Sequence, residues 1–484
     1  MISKDTIPYL IITIYLLLTA WIGITVSRQQ ESTPEQYFIA DRRIGPIVFF
    51  FTLVATNFSA FTFIGFSGAG YRIGISYYPM IAFGTALITL TFYLVGYPAW
   101  LLGKKQGLIT PTELIENRFN SQSLKWVVLI VMILFTLPYL TVQSIGAGYL
   151  LENLTNGQIP YFTGATFLTL TVVLYVFLGG MRSVAHTDVF QGILVFTFMF
   201  AAMITIANNL GGFTEANYAT YQLKSELFSR QGINIFFTPK RWFSYMLLWM
   251  LSVPMFPHIF MRFYISKTAI SLKISTILYP IVTVFLFICP VMIGVWGHIS
   301  FPELSDKASD QILPMMLTKY TSIWLTSGVT VAALAAFMST LDSQLLALSS
   351  LLTRDVYTAY FRPHASFREQ TAVGRVMTAI LAIIGLIIAY RPPDTIFSIA
   401  TEAFTGIAVL FPTMITALYS RNVPPQSCIV SIIVGEAALI GFQQGIIPQD
   451  FTFGFLPVVP IVLLSTLIIL GGSLINPKNN IFNE

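Results

Sequence analysis

Ala55-Thr56-Asn57-Phe58-Ser59-Ala60, with Gly65, Gly68 and Gly70 after it, interrupts an apolar run over residues 47–76. Ser252-Val253-Pro254-Met255-Phe256-Pro257 interrupts another, over 242–263. Proline lacks an amide, and small polar side chains compete for the backbone, so each stretch frees carbonyls in the middle of a run. Lipid cannot satisfy such groups. Breaks of this kind persist where they line a cavity inside the protein. Each break also opens a set of five apolar runs. A matched pair of this sort predicts two five-helix repeats of inverted topology, with a binding site where the two breaks meet.

Composition makes lipid the solvent. The chain is 55% hydrophobic and 10% charged, against about 25% charged in a typical soluble domain. The reading is therefore an all-α membrane protein embedded in a lipid bilayer. Runs of sufficient length give about thirteen transmembrane helices, over 7–27, 47–76, 80–103, 126–151, 160–180, 188–208, 242–263, 274–298, 322–350, 372–390, 396–419, 425–445 and 456–475. The first run lacks the basic start and small-residue cleavage site of a secretory signal, so it reads as a retained span. The organisation expected is a first helix and loop (1–46), a first repeat (47–208), a long connection (209–241), a second repeat (242–420) and two C-terminal helices with a short tail (421–484). The connection reads either as a cap over the outer mouth or as a solvated linker.

An odd span count puts the termini on opposite sides. With the N-terminus outside, 17 of the 26 lysines and arginines fall on the inner side and 9 on the outer. That excess predicts a multi-pass protein of the cell membrane with a cytoplasmic C-terminus. The net charge of +5 thus speaks to orientation and not to nucleic acid. Cys289 and Cys428 lie in or beside apolar runs and form neither a disulfide framework nor a metal cluster.

The ninth run carries the densest polar chemistry: Ala335-Ala336-Phe337-Met338-Ser339-Thr340-Leu341-Asp342-Ser343-Gln344. Helical spacing sets Ala336, Ser339, Thr340 and Ser343 on one face, with Asp342 adjacent. A carboxylate at bilayer depth costs at least about 2.5–3.5 kcal/mol and so faces a cavity or a partner. Sodium is one such partner and a proton is another. Packing of Ser339 and Thr340 against a neighbouring helix is the plain structural reading. Asp188 starts the sixth run. It reads either as a helix cap beside Thr187 or as a carboxylate serving a departing cation. Tyr139 and Trp249 are candidate pocket aromatics. His186, His258 and His298 read as interfacial hydrogen-bonding groups, and Glu402 and Glu436 as satisfied helix contacts. There is no phosphate-binding glycine loop to support ATP-driven pumping, and no paired-carboxylate, Ser-His-Asp or Cys-His set to support an enzyme.

These residues resemble a known family. Ala336 to Thr340, Asp342 to Leu346 and Leu352-Thr353-Arg354-Asp355-Val356-Tyr357 are similar to the ninth-helix signature of sodium/solute symporters. Gly179-Gly180 through Gln191 is similar to that family's inner-loop motif, and Pro257-His258, Arg262-Phe263, and Gly65 through Gly68 and Tyr71 are further matches. The resemblance runs from about residue 35 to 420 and is specific for the family but not for the substrate.

It implies a leucine-transporter-like fold working by alternating access, with sodium as the coupling ion. The ligands it implies are the backbone carbonyls of Ala55, Phe58 and Ala336 with the hydroxyls of Ser339 and Thr340. A second cation site, as in the family's sialic acid transporter, would fall on Asp188, Ser339, Asp342 and Ser343. Asp342 departs from the serine found there. The substrate pocket implied is Asn57, Ser59, Tyr139, Trp249 and Pro257, partly after the proline permease. Phe61-Thr62 stands where sugar carriers have Glu-Gln, which disfavours a sugar. The function expected is sodium-coupled import of a small organic solute, an amino acid such as proline or a carboxylate like pantothenate. A proton-coupled symporter of the same fold and a sensor on a transporter scaffold are the alternatives.

Overall fold

The computed structural model describes residues 6–27, 33–420 and 422–475. Lys4, Arg28, Arg421 and Lys478, counted above for orientation, lie outside them. Among the described residues no β-strand forms, and one parallel bridge pairs Ile44 with Ser266.

Each of the thirteen sequence windows holds a helix or a bent pair of helices. Among the described residues eight helices are long and apolar enough to cross a membrane. Two windows hold bent pairs, Pro46–Asn57 with Phe61–Ile73 at 56°, and Pro239–Met255 with Pro257–Ile265 at 59°. The first, fifth and last windows hold shorter apolar stretches, Ile7–Gly23, Tyr161–Phe177 and Val458–Leu474.

The ninth span, Ile323–Leu351, is the axis of the protein. Every residue from Thr326 to Leu351 is buried, so its polar groups face other helices and not lipid. It packs most extensively on Tyr161–Asn209, which carries the fifth and sixth spans as one bent helix. The bend is at Gly180, whose φ of 57° and ψ of −166° suit only glycine. A Cβ there would sit 2.7 Å from the Tyr37 carbonyl oxygen.

The bend moves the start of the sixth span to Gly179, earlier than the run at 188 indicates. Asp188 is consequently a buried mid-helix residue and not a cap. Thr187 instead returns its hydroxyl to the Ser183 and Val184 carbonyls. The connection over 209–241 is folded. It holds the helix Phe213–Leu223, and its Leu227 carbonyl accepts the Ile75 amide at 2.8 Å, just past the second span.

Candidate functional site

Where the second span breaks, its backbone groups find side chains. Pro46–Asn57 ends with Phe58 in an extended conformation. The helix restarts with a π-turn over Phe61–Gly65, a distortion frequent at functional sites. The Ala60 amide donates to Gln143 Oε1 at 2.8 Å, and the Phe61 amide to Ser59 Oγ at 3.2 Å. Ser59 therefore caps the restarted half, and its hydroxyl also meets the Tyr139 hydroxyl at 3.1 Å.

The freed carbonyls turn to the ninth span. Ser339 Oγ donates to the Ala55 carbonyl at 3.0 Å and to that of Ala336 at 2.9 Å. Thr340 Oγ1 lies 3.2 Å from the carbonyls of Thr56, Phe58 and Ala336. The structure thus brings Ala55, Phe58, Ala336, Ser339 and Thr340 together. Five neutral oxygens with no carboxylate among them suit a monovalent hard cation better than a divalent one, and unwound carbonyls are where such folds hold sodium.

At the position expected for a second cation the fold places an arginine against Asp188 and Ser343. The Arg262 guanidinium is fully buried, 3.2 Å from Asp188 Oδ2 and 2.9 Å from Thr56 Oγ1, and it also donates to Ser343. Asp188 accepts a further hydrogen bond from Thr52. Asp342 accepts from the Tyr175 hydroxyl at 2.6 Å and from Ser343 Oγ at 3.0 Å. Arg262 thus sits inside this cluster, a residue that the sequence reading placed in the family motif but not in the site. An arginine inside the nine-residue apolar helix Pro257–Ile265 was the available signal, since a charge at that depth needs a partner.

Asn57, Tyr139 and Trp249 wall one cavity of about 30 Å³ at the breaks of the two bent spans, room for about two waters. Ser59 stands behind Tyr139. Pro257 begins the second half of the seventh span and is not part of the wall. The sequence reading missed Phe404. Its ring centroid lies 5.0 Å from those of both Trp249 and Tyr139 and 4.8 Å from that of Phe256. Thr62, Thr85 and Tyr279 add the remaining polar atoms, and no charged side chain lines the cavity.

His258 is buried, with its ring 6.1 Å from that of Tyr139, so it is not interfacial. Glu436, expected in a satisfied contact, has no hydrogen-bond partner on either oxygen among the described residues. His298 meets the Tyr71 carbonyl at 2.8 Å and His186 that of Arg182 at 2.8 Å. Among the described residues no cluster of metal-ligating side chains forms.

Both ends of the broken spans are tied. On one face Ile44 pairs with Ser266, the Ile44 amide donating to the Ile265 carbonyl at 3.2 Å and the Lys267 amide to that of Ile44 at 3.0 Å. On the opposite face Arg72 meets Asp310 at 3.0 Å, and Asp310 accepts the Ile396 amide at 2.7 Å. Burial pushes the Asp310 carboxyl above the usual carboxylate range, against the pull of Arg72.

Two broken helices, a fully buried polar helix between them and a small cavity at their breaks define a secondary transporter of the alternating-access kind. The chain belongs to the sodium:solute symporter family, whose model matches residues 37–435. It is 26% identical to the sodium/pantothenate symporter of Escherichia coli (strain K12), over 95% of this chain and 94% of that one. It is 27% identical to the osmoregulated proline transporter OpuE of Bacillus subtilis (strain 168), over 94% and 92%. It is likewise 27% identical to a sodium/proline symporter of Staphylococcus aureus (strain JH9), over 98% and 94%.

Among solved structures, a substrate-bound, outward-open Na+-coupled sialic acid symporter superposes with a TM-score of 0.81 at 19% identity, over 98% of both chains. A nucleobase-cation-symport-1 family transporter in a closed conformation superposes with 0.62 at 13% identity, over 93% and 97%. The fold is therefore the leucine-transporter-like one that the resemblance implies, and the chain is a sodium-coupled symporter and not an enzyme.

Proposed function

We propose that this protein imports a small amino acid of about proline's size, one sodium per solute, with the sodium held by Ala55, Phe58, Ala336, Ser339 and Thr340. The observation that carries the ion site is the convergence of Ser339 and Thr340 hydroxyls on the carbonyls freed at the break. Sodium binding there ties the second span to the ninth. That fixes Ser59 and the restarted half, and through Ser59 the Tyr139 hydroxyl.

The solute reading rests on the residues that line the cavity and not on its volume, which in this conformation admits only about two waters. Aromatic rings with Asn57, Thr62 and Thr85 suit a compact apolar body with few polar groups. Asn57 already donates to the Leu53 carbonyl at 2.9 Å, which leaves its own carbonyl oxygen for an ammonium group. Proline symporters among the relatives support this choice. Pantothenate, longer and more polar, is the competing solute that the Escherichia coli relative suggests.

The single-sodium stoichiometry rests on Arg262, which supplies a fixed charge to Asp188. One charge crossing about 100 mV contributes about 2.3 kcal/mol, about 50-fold accumulation. The face bearing Ile44 and Ser266 is read as cytoplasmic because lysine and arginine concentrate there. The test is uptake into proteoliposomes under an imposed sodium gradient, with radiolabelled proline, other small amino acids and pantothenate. Proline-type uptake abolished without sodium is expected. Sodium-driven uptake of pantothenate alone would replace the solute assignment.

A further inference from the structure

A second cavity, of about 730 Å³, shares no lining residue with the cavity at the breaks. It sits between Gln122–Leu154, Ile396–Ala408 and Pro425–Gln443, and its walls are mostly aliphatic. Two carboxylates, Glu402 and Glu436, line it. Both Glu436 oxygens are shielded and have no hydrogen-bond partner among the described residues, while Glu402 is exposed. No lysine, arginine or histidine lines the cavity.

Carboxylates at membrane depth are expensive and are kept where something meets them. Among the described residues nothing complements Glu436. Neither carboxylate takes part in the sodium site or the cavity at the breaks.

We infer that this groove binds a lipophilic amine, its ammonium between Glu402 and Glu436 and its apolar body along the aliphatic walls. Glu436 lies seven residues before Gln443 and Glu402 six after Ile396, each about 10 Å from its helix end at 1.5 Å per residue. Charge separates this ligand from an amine-headed phospholipid. A phospholipid headgroup also brings a phosphate, which the two carboxylates repel, whereas a single-chain amine brings only its ammonium. The volume falls in the range of about 300–1,000 Å³ that holds drug-sized ligands.

The experiment uses the full chain in phosphatidylcholine nanodiscs and a diazirine-bearing dodecylamine as the probe, with the matched dodecanol as control. The amine labels peptides from the Gln122–Leu154 and Pro425–Gln443 helices saturably, one probe per chain, and excess dodecylamine displaces it. Labelling falls at least tenfold in Glu436→Gln and in Glu402→Gln, and also in Ala437→Trp, which fills the groove without touching a charge. Sodium-driven uptake persists in all three variants, which separates this test from that of the transport site. Equal labelling by the alcohol, or labelling unchanged in the Gln variants, overturns the proposal. Displacement by phosphatidylethanolamine added to the disc also overturns it and assigns the groove to a lipid headgroup.

Discussion

Replacing Thr340 with valine removes one hydroxyl and preserves the side chain's shape. That hydroxyl lies 3.2 Å from three carbonyl oxygens, those of Thr56, Phe58 and Ala336. If it is a sodium ligand, its loss costs about 1.5–3 kcal/mol, the range for a polar contact to a charge. That converts to about 10- to 150-fold weaker sodium binding. The assay is thermal unfolding of the purified protein across a sodium series. A ligand that binds only the folded state at 100 times its Kd stabilises by about 2.7 kcal/mol, and a 100-fold weaker site leaves about 0.4 at the same concentration. Lost hydroxyl–carbonyl bonds lower stability at zero sodium too, so the sodium-dependent increment isolates the ion site. Thr340→Ser keeps the hydroxyl and is expected to stay within about threefold of wild type. A sodium midpoint for Thr340→Val within about twofold of wild type would refute the assignment.

Four further outcomes are expected. Arg262→Ala strands the buried Asp188 carboxylate, which costs about 3–5 kcal/mol of stability in thermal melts, and adding Asp188→Asn recovers much of it. Asp342→Asn leaves the charge moved per solute in liposomes at one, because Arg262 supplies the fixed positive charge of this cluster through Asp188 and Ser343; a lower ratio would put Asp342 in the coupling. Ser59→Ala removes both a helix cap and the Tyr139 partner, and about 1–2 kcal/mol is expected to appear as weaker solute binding at saturating sodium. Gly180→Ala forces a strained φ of 57° and a close approach to Tyr37, lowering stability by about 1–3 kcal/mol in the same melts.

The breaks and the ninth-span cluster were legible because they violate the local rule for a membrane helix. Asn57, Ser59 and the Pro254–Pro257 pair are polar or amide-poor residues in apolar runs, and such violations carry their own explanation. Tertiary pairing is not written locally. Arg262 reads as the end of a span until the fold buries it against Asp188, 74 positions away. Asp188 reads as a cap because the bend at Gly180 shifts the helix start, and one glycine in a Gly-Gly pair does not announce a positive φ. Phe404 is one of 41 phenylalanines, and only packing distinguishes it. Glu436 reads as satisfied because most carboxylates in spans are, and its lack of a partner appears only in three dimensions.

The central claim, that sodium at the second-to-ninth-span junction drives solute entry, is tested most directly by flux in proteoliposomes. Uptake of radiolabelled proline would be measured under a sodium gradient, a proton gradient and neither, for wild type and Thr340→Val side by side. The account predicts uptake by wild type under the sodium gradient alone, and recovery of the variant only at sodium concentrations raised by about 10- to 150-fold. Uptake driven equally by a proton gradient without sodium, in both proteins, would contradict it.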